Sequence, residues 1–449
     1  MLTFFFAICK QTSTIPGMPR VLILHRQDSS DWVSCRSILR NLRKSYLDAF
    51  DGDVDSLTLP SNLTSFSSRR IAQEILGRSP NHIVFIDHRP HPKTILDELC
   101  RLGFPSGRVG IHVYGDFVLD APQWLDSAQS LAQLKPIFLC ASAAQMQLVK
   151  NFLKSHNGVF TVPFSVDTNQ FHFESEARQQ FRKSLQAKQD ESLIVYTGRL
   201  SEQKNCTSLI QSFSHYHRVF NPNSRLLLAG PIDDMGIPYR GKKSPPGVYA
   251  FDLCQAANNF FKTHNLDSNQ GRNPISYLGD LDSQTLFSLY NAADIYFSLS
   301  THNDEDFGVA PAEALMCGCP AALTEWGGFT SFKKGIDDEL VQLIPLTLNN
   351  TRWSPNEVLS VKTLCQLSSV EKSDERRQDL SKKAVQYLST ASVAERIRSV
   401  YHQPTSNENV EFNDLFKSVD LAFRLNPSSP FGQTHQYSNL YQAVYNDYR

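Results

Sequence analysis

Residues 295–318 read IYFSLSTHNDEDFGVAPAEALMCG, and this stretch predicts a strand, a polar loop and a helix in that order. The apolar run that ends at Leu299 has the length of a buried strand. Pro311 suits the first turn of a helix, where its missing N–H costs nothing, and Gly318 suits the position just after the last turn. A strand that leads through a loop into a helix is the repeating unit of a parallel α/β sheet.

Two carboxylates stand on either side of the predicted helix start. Glu305 lies in the loop, and Glu313 lies in the predicted first turn. The free backbone N–H groups at Phe307, Gly308 and Val309 would face the same opening, and a helix N-terminus attracts anions such as a diphosphate. The two carboxylates could then accept hydrogen bonds from sugar and ribose hydroxyl groups. The alternative is that both glutamates merely interact favourably with the helix dipole.

A second polar segment follows another predicted strand. Residues 196–205 read YTGRLSEQKN, so that Arg199 and Lys204 stand in the loop and at the start of the next helix. Fixed cations at the carboxyl end of a strand suit a pyrophosphate leaving group, whereas the alternative is a solvated basic loop. Because the carboxyl ends of parallel strands meet at one edge of a sheet, we expect this segment to lie beside Glu305. That concurrence favours a ligand site over either alternative.

Short apolar runs alternate with helical patterns along most of the chain, which predicts two tandem Rossmann-like α/β domains that face a central cleft. We assign residues 18–170 to the N-terminal domain, 171–192 to a linker and 193–400 to the C-terminal domain. Residues 1–17 are expected to be a disordered or mis-assigned start. Residues 401–449 are expected to form a tail whose aromatic side chains pack on the body.

The predicted strands are apolar runs of four to six residues bounded by turn signals. In the first domain they span residues 21–25, 56–59, 83–87, 109–114, 137–141 and 159–162. In the second domain they span residues 193–196, 225–229, 275–278, 295–299, 319–323 and 340–344, with an insertion rich in Gly, Pro and Lys at about 231–274.

Composition and charge narrow the classes of partner. The net charge of −1 gives no electrostatic case for nucleic acid. Nine cysteines without a Cys-x-x-Cys pair fit a reducing compartment, so we expect a cytoplasmic protein, with peripheral contact at the inner face of a membrane left open. No stretch approaches the roughly 20 apolar residues that a membrane span needs. Cys317 and Cys319 are too close together for an ordinary zinc site, and no metal site is predicted.

Together these motifs resemble the retaining GT-B glycosyltransferases of family 4, the glycosyl transferases group 1, over residues 19–400. Further segments that carry the resemblance are FSVDTNQF (164–171), LLLAG (226–230), YLGD (277–280), LYNAAD (289–294) and GCP (318–320) followed by Gly327 and Gly328. The N-terminal lobe departs from the family, because residues 25–31 read HRQDSSD where many members carry a Gly-Gly loop.

The resemblance implies a role for each candidate residue. Arg199 and Lys204 would hold the donor diphosphate. Glu305 would contact the donor sugar, with the backbone at 307–309 beside it, and Glu313 would contact the ribose.

His112 is a further candidate, for a catalytic role beside that of Glu305. It lies in the segment GIHVYGDF (110–117), where the family often has a histidine that supports the donor sugar. The alternative is a histidine of the core or of the cleft wall. Asp53 and Asp55 match the Asp-x-Asp that binds a metal and a nucleotide in another transferase fold, but they precede a predicted strand and are interpreted as a turn.

The resulting expectation is a hexosyltransferase that uses a UDP-, GDP- or ADP-linked sugar as co-substrate, retains the anomeric configuration and needs neither a metal nor another cofactor. The C-terminal domain would bind the donor and the N-terminal domain an acceptor, which is a glycan, a lipid or a small molecule. Two alternatives stay open: a nucleotide-sugar epimerase or hydrolase of the same architecture, and a catalytically inactive binding protein.

Overall fold

Two six-stranded parallel sheets, one in each half of the chain, form the framework of the protein. The structure is a computed structural model, and it describes residues 21–26, 33–155, 157–233, 247–263, 273–349, 352–371, 373–403, 410–433 and 436–449. The predicted start at 1–17, most of the loop at 25–31 and much of the insertion at 231–274 lie outside the described residues.

The first lobe is the N-terminal sheet with the helices that cover it. Its strands are β1 (Val21–Arg26), β2 (Val54–Leu59), β3 (His82–Phe85), β4 (Val109–Val113), β5 (Ile137–Cys140) and β6 (Val159–Thr161), arranged β2-β1-β3-β4-β5-β6. Its helices are α1 (Val33–Ala49), α2 (Ser65–Arg78), α3 (Lys93–Arg101), α4 (Ala121–Asp126), α5 (Ala128–Leu134) and α6 (Ala143–Lys150).

The apolar character of β1 follows from its position inside this sheet. Val21 and Ile23 belong to the core on one face, and Leu22 and Leu24 belong to the core on the other. Side chains alternate across a strand, so the part of a strand that helices cover on both faces, here Val21–Leu24, is apolar at every position.

The second lobe repeats this plan after the helix α7 (Ser175–Ser184). Its strands are β7 (Ser192–Thr197), β8 (Ser224–Ala229), β9 (Ile275–Tyr277), β10 (Ile295–Ser298), β11 (Ala321–Thr324) and β12 (Val341–Ile344), arranged β12-β11-β10-β7-β8-β9. Its helices are α8 (Cys206–Val219), α9 (Val248–Thr263), α10 (Ser283–Ala292), α11 (Val309–Met316) and α12 (Phe329–Ile336). The prediction of two tandem Rossmann-like domains is confirmed, with each predicted strand end displaced by at most two residues.

The helix α7 lies inside the predicted linker and is fastened to the second lobe. Arg178 and Arg182 both form ion pairs with Asp294, at 2.7 and 2.9 Å. The two partly buried arginines and buried Asp294 fasten the connection between the lobes to the start of β10.

The chain after β12 first completes the second lobe and then returns to the first lobe. It contains β13 (Leu346–Asn349), β14 (Arg352–Pro355), α13 (Glu357–Ser369), α14 (Asp374–Leu388), α15 (Thr390–His402), α16 (Asp414–Leu425), β15 (Gly432–Gln433), β16 (Gln436–Tyr437) and α17 (Asn439–Tyr445). Helix α15 lies inside the predicted C-terminal domain, yet it packs on α1, where Arg398 Nη2 donates to the carbonyl of Asp48 at 2.8 Å. In the segment 410–449, the Phe416 ring packs against Phe117 and Phe152 of the first lobe.

Each sheet has one strand at which the order of the strands reverses, so that later strands of the chain lie on both sides of it. In the first lobe β1 lies between β2 and β3, and in the second lobe β7 lies between β8 and β10. A crevice opens at the carboxyl ends of the strands at such a point, because the neighbouring crossovers lie on opposite faces of the sheet. The two crevices face each other across the junction of the lobes, where one cavity has residues of both on its walls.

Candidate donor and acceptor site

The cavity between the lobes has a volume of about 640 Å³. That volume is within the range of small-molecule binding sites. Its first-lobe wall includes Arg26, Asp87, Arg89, Tyr114 and Gly115, and its second-lobe wall includes Arg199, Lys204, His302, Asp304, Glu305, Asp306 and Gly308 to Pro311.

The structure brings Arg199, Lys204 and Glu305 to the same wall, as the sheet edge predicts. Arg199 follows β7, and its guanidinium donates to Asp233 at 2.8 Å and to Gln203 at 3.1 Å. The Lys204 ammonium lies 2.5 Å from Glu305 Oε2. The loops after the neighbouring strands β7 and β10 therefore supply two cations and one acid to one surface.

Glu305 is buried but charged. Burial alone would raise the pKa of this carboxyl, whereas the charge and the hydrogen bond of Lys204 bring the pKa below its ordinary value. An ionised carboxylate can accept hydrogen bonds from the hydroxyl groups of a ligand in the cavity.

Helix α11 presents its N-terminal end to the cavity. Gly308, the residue before its first turn, has φ +98°, and a Cβ built there would lie 2.6 Å from the Phe329 ring. A glycine is therefore required, and the backbone from Gly308 to Pro311 lines the cavity as predicted for Gly308 and Val309. The Phe307 ring lies elsewhere, in the core between the lobes, with its centroid 5.4 Å from that of Phe164.

Glu313 does not occupy the position that the sequence predicts. Helix α11 begins at Val309, so Glu313 is its fifth residue and lies beyond the first turn. The residue is buried, is absent from the cavity wall and accepts a hydrogen bond from the Tyr290 hydroxyl at 3.4 Å. Burial raises its pKa to about 8. The helix-dipole alternative therefore fails for this residue, because its charge would not lie at the helix end.

His112 lies in the core of the first lobe and does not reach the cavity. It is fully buried in β4, and its Nε2 lies 2.8 Å from the Tyr46 hydroxyl of α1. Burial lowers its pKa to about 3, so the ring is neutral. His112 does not line the cavity as placed, which agrees with the alternative of a core histidine, and its catalytic role stays a prediction.

Two acids beside Glu305 join the lobes, and sequence reasoning missed them. Asp306 Oδ2 accepts a hydrogen bond from the Gly115 N–H at 2.8 Å, and Asp304 Oδ1 accepts one from the Asp116 N–H at 2.7 Å. Burial, with the charges of Asp304 and Glu305 added, raises the pKa of Asp306 to about 7. The polar run HNDED at 302–306 indicates a polar site, but it does not reveal that the backbone at Gly115 and Asp116 is its partner.

The first-lobe wall carries three charged residues that are not among the predicted site residues. Arg26 is the last residue of β1, and Asp87 and Arg89 follow β3. The Arg89 guanidinium donates to the Tyr114 carbonyl at 3.0 Å. These strands flank the crevice of the first lobe, so their carboxyl ends are where a sequence search can look for cavity residues.

The described parts of the chain contain no group of three His, Cys, Asp or Glu side chains that could hold a metal ion. Asp53 and Asp55 lie at the amino end of the first sheet, since Val21 pairs with Val54, and the cavity is at the opposite edge. Within the same described parts, no helix is both long and apolar enough to span a bilayer.

Comparison with known proteins agrees with this geometry. Residues 177–334 match the family model for glycosyl transferases group 1. An uncharacterized glycosyltransferase of Methanocaldococcus jannaschii is 26% identical over 205 residues, which cover 46% of this chain and 44% of that relative. The match therefore spans less than half the length of the curated relative.

Two solved structures show how widely the fold is shared. HepE of Anabaena in complex with UDP has a TM-score of 0.61 at 12% identity, covering 85% of this chain and 99% of that one. The sucrose-phosphate synthase of Thermosynechococcus elongatus has a TM-score of 0.58 at 14% identity, covering 86% and 98%. The chain therefore has the GT-B fold of two facing Rossmann-like lobes, and the part that matches the glycosyl transferases group 1 model, residues 177–334, makes up most of its second lobe.

Proposed function

We propose that this protein is a retaining, metal-independent glycosyltransferase that moves a hexose from a nucleoside diphosphate sugar to an acceptor. The donor binds on the second lobe, and the acceptor binds against the first-lobe wall. The observation that carries the proposal is that Arg199, Lys204, Glu305 and the N-terminal end of α11 meet on one cavity. The group 1 domain over residues 177–334 supports the reaction class.

The two cations act on the leaving group. Negative charge accumulates on the diphosphate as its bond to the sugar breaks, and Arg199 and Lys204 neutralise that charge. The N–H groups at the start of α11 add a positive dipole from the same wall. Fixed charges in a partly enclosed site stabilise such a transition state, which is the task that a divalent cation performs in other transferases.

Glu305 orients the sugar. It lies within hydrogen-bonding distance of Lys204, so a hexose attached to the bound diphosphate would have its hydroxyl groups near this carboxylate. Because Lys204 keeps Glu305 ionised, the side chain accepts hydrogen bonds and does not donate a proton.

The acceptor side of the proposal rests on Arg26, Asp87 and Arg89. These residues line the part of the cavity that faces the donor wall. Their charged groups suit an acceptor with several hydroxyl groups, because both guanidinium donors and carboxylate acceptors are available. Glycans, glycolipid headgroups and small polyols share that chemistry.

The donor is tested first by thermal shift against UDP-, GDP- and ADP-sugars. A ligand at 100 times its Kd stabilises the native state by about 2.7 kcal/mol, which is a measurable rise in Tm. No shift with any nucleotide, or an equal shift with inorganic sulfate, would contradict a donor site.

The reaction is then tested with the donor that binds. Transfer to a mixture of acceptors, with the anomeric configuration of the product read by NMR, is the expected result. Incubation with donor alone separates the alternatives. An epimerase yields the epimer, and a hydrolase yields free sugar as fast with no acceptor as with one. An inactive binding protein yields neither product.

A further inference from the structure

Residues 439–448 lie where the two lobes meet, close to the loop that carries Glu305. The segment follows α16, which packs on the first lobe through Phe416. It continues through α17 to Tyr448, which is fully buried. We call residues 439–448 the lobe clasp.

Tyr448 holds the Glu305 loop from two sides. Its hydroxyl donates to the carbonyl of Asn303 at 3.1 Å, and its own carbonyl accepts from the Gly327 N–H at 2.6 Å. The next N–H, that of Gly328, donates to the carbonyl of Glu305 at 2.7 Å. One residue of the lobe clasp is therefore bonded directly to the loop before Glu305 and, through one peptide unit, to Glu305 itself.

Gly327 and Trp326 pack closely against Tyr448. Gly327 has φ +53°, and a Cβ built there would lie 2.2 Å from the Glu305 carbonyl oxygen and 2.8 Å from the Tyr448 ring. The Trp326 ring packs edge-on against Tyr448 at 5.3 Å, and its Nε1 donates to the carbonyl of His302 at 2.9 Å. Such packing transmits a displacement of the tyrosine to the loop.

Tyr445 forms the corresponding contact with the first lobe. Its hydroxyl donates to a carboxylate oxygen of Asp116. The Asp116 N–H in turn donates to Asp304, and the neighbouring Gly115 N–H donates to Asp306. The lobe clasp therefore contacts both lobes at their junction. Through Asp116 and Gly115 it is connected to Asp304 and Asp306, the two residues that flank Glu305.

We propose that Tyr448, assisted by Tyr445, is a positioning residue that sets the place of Glu305 between Lys204 and the cavity. The inference rests on the proposed function for its kinetic consequence, while the geometry that it predicts is independent of any activity. Neither tyrosine lines the cavity, so both act through the loop at 302–306.

The test compares Tyr448→Phe and the double variant Tyr445→Phe/Tyr448→Phe with Tyr216→Phe in the full chain. Tyr216 is the control, because it is also buried and its hydroxyl bonds to Ser368 and Asn221 away from the cavity. Amide hydrogen exchange is followed in residues 299–309, and kcat and donor KM are measured with the donor that binds. Tm is recorded for every variant.

We expect exchange in residues 299–309 to rise about five-fold in Tyr448→Phe, since one buried hydrogen bond is lost, and to rise further in the double variant. The value of kcat should fall by a similar factor, about five-fold, with donor KM changed less than about two-fold. Tyr216→Phe, which loses two hydrogen bonds, should lower Tm at least as much without either effect.

Unchanged exchange in residues 299–309 would overturn the clasp, and faster exchange with an unchanged kcat would overturn the positioning role. A loss of kcat that tracks Tm equally in Tyr448→Phe and Tyr216→Phe would also overturn it. If the wild-type protein turns over no donor, the proposed function fails, and the exchange measurement still decides whether the clasp exists.

Discussion

Lys204 Nζ lies 2.5 Å from Glu305 Oε2, so the cation proposed for the diphosphate is already paired with the acid proposed for the donor sugar. A bound diphosphate must share this ammonium with the carboxylate. Removing the charge of Glu305 should therefore release Lys204 for the nucleotide while it weakens the orientation of the sugar.

We expect Glu305→Gln to lower kcat about ten-fold or more and to leave the Kd of the free nucleoside diphosphate unchanged or lower. Steady-state kinetics and calorimetric titration measure the two effects. Glu357→Gln is the control, because Glu357 pairs with His215 on the exposed surface of the same lobe. Weaker nucleotide binding with normal kcat would contradict the division of roles.

Arg199→Ala should weaken binding of the nucleoside diphosphate by about ten-fold or more, since a hydrogen bond to a charged group contributes about 1.5–3 kcal/mol. The fold should persist, because Arg199 lies on the cavity wall and its side chain is bonded to partly exposed Asp233. Arg78→Ala, which breaks surface ion pairs with Glu74 and Asp55, supplies the control. Equal UDP, GDP and ADP affinities in Arg199→Ala and wild type would exclude the diphosphate role.

Asp306 predicts a pH dependence of stability. Its pKa is about 7 in the folded protein and near 3.8 in the unfolded chain. Between these values the native state binds a proton that the unfolded state has released, so its stability falls as pH rises through this window. Asp306→Asn should remove that loss, and its Tm relative to wild type should rise between pH 5 and pH 8.

The measurement is a pair of melting curves at each pH, in the absence of ligand. Asparagine keeps an oxygen for the Gly115 N–H, so the hydrogen bond between the lobes can persist in the variant. A constant difference in Tm across the range would show that Asp306 does not titrate there.

Glu313 does not line the cavity as placed, so the ribose contact that the resemblance implies for it stays a prediction, which the pH dependence of binding tests. With a pKa of about 8, this carboxyl is mostly protonated at pH 7, where glutamine resembles it closely. If the ribose hydroxyls favour the ionised form, wild-type affinity for UDP should rise between pH 7 and pH 9 while that of Glu313→Gln stays level. Parallel pH profiles in calorimetric titrations would rule out the ribose contact.

Metal independence predicts that transfer continues in excess EDTA, because Arg199, Lys204 and the α11 N-terminus carry the positive charge at the site. The assay compares initial rates with and without the chelator at saturating donor. Complete loss of activity that Mg²⁺ or Mn²⁺ restores would mean that the protein groups do not suffice.

The sequence predicted the framework well because parallel strands are buried on both faces. The strand predicted at 295–299 is β10 (Ile295–Ser298), and the segment at 196–205 lies beside it as expected. The meeting of Lys204 with Glu305 follows from the same rule, since the loops after neighbouring parallel strands share one edge.

Other parts of the site depend on contacts that no local pattern contains. The alternation of β4 puts His112 on the face opposite Ile111, but only the packing of α1 reveals that Tyr46 covers it. The hydrogen bonds of Asp304 and Asp306 cross from one lobe to the other and join residues that are nearly 200 positions apart in the chain. The first-turn prediction for Glu313 failed because Pro311 stands two residues inside α11 and not at its start.

The return of α15 to the first lobe has a consequence for how the protein is made. The bond from Arg398 to Asp48 joins residues 350 positions apart, and it lies across a helix that covers the first sheet. The ribosome synthesises the second lobe before it synthesises α15. The N-terminal lobe therefore lacks the helix that packs on α1 while the second sheet forms. During synthesis the lobe that is translated first is therefore the one completed last, and the surface of α1 that α15 covers stays exposed until then.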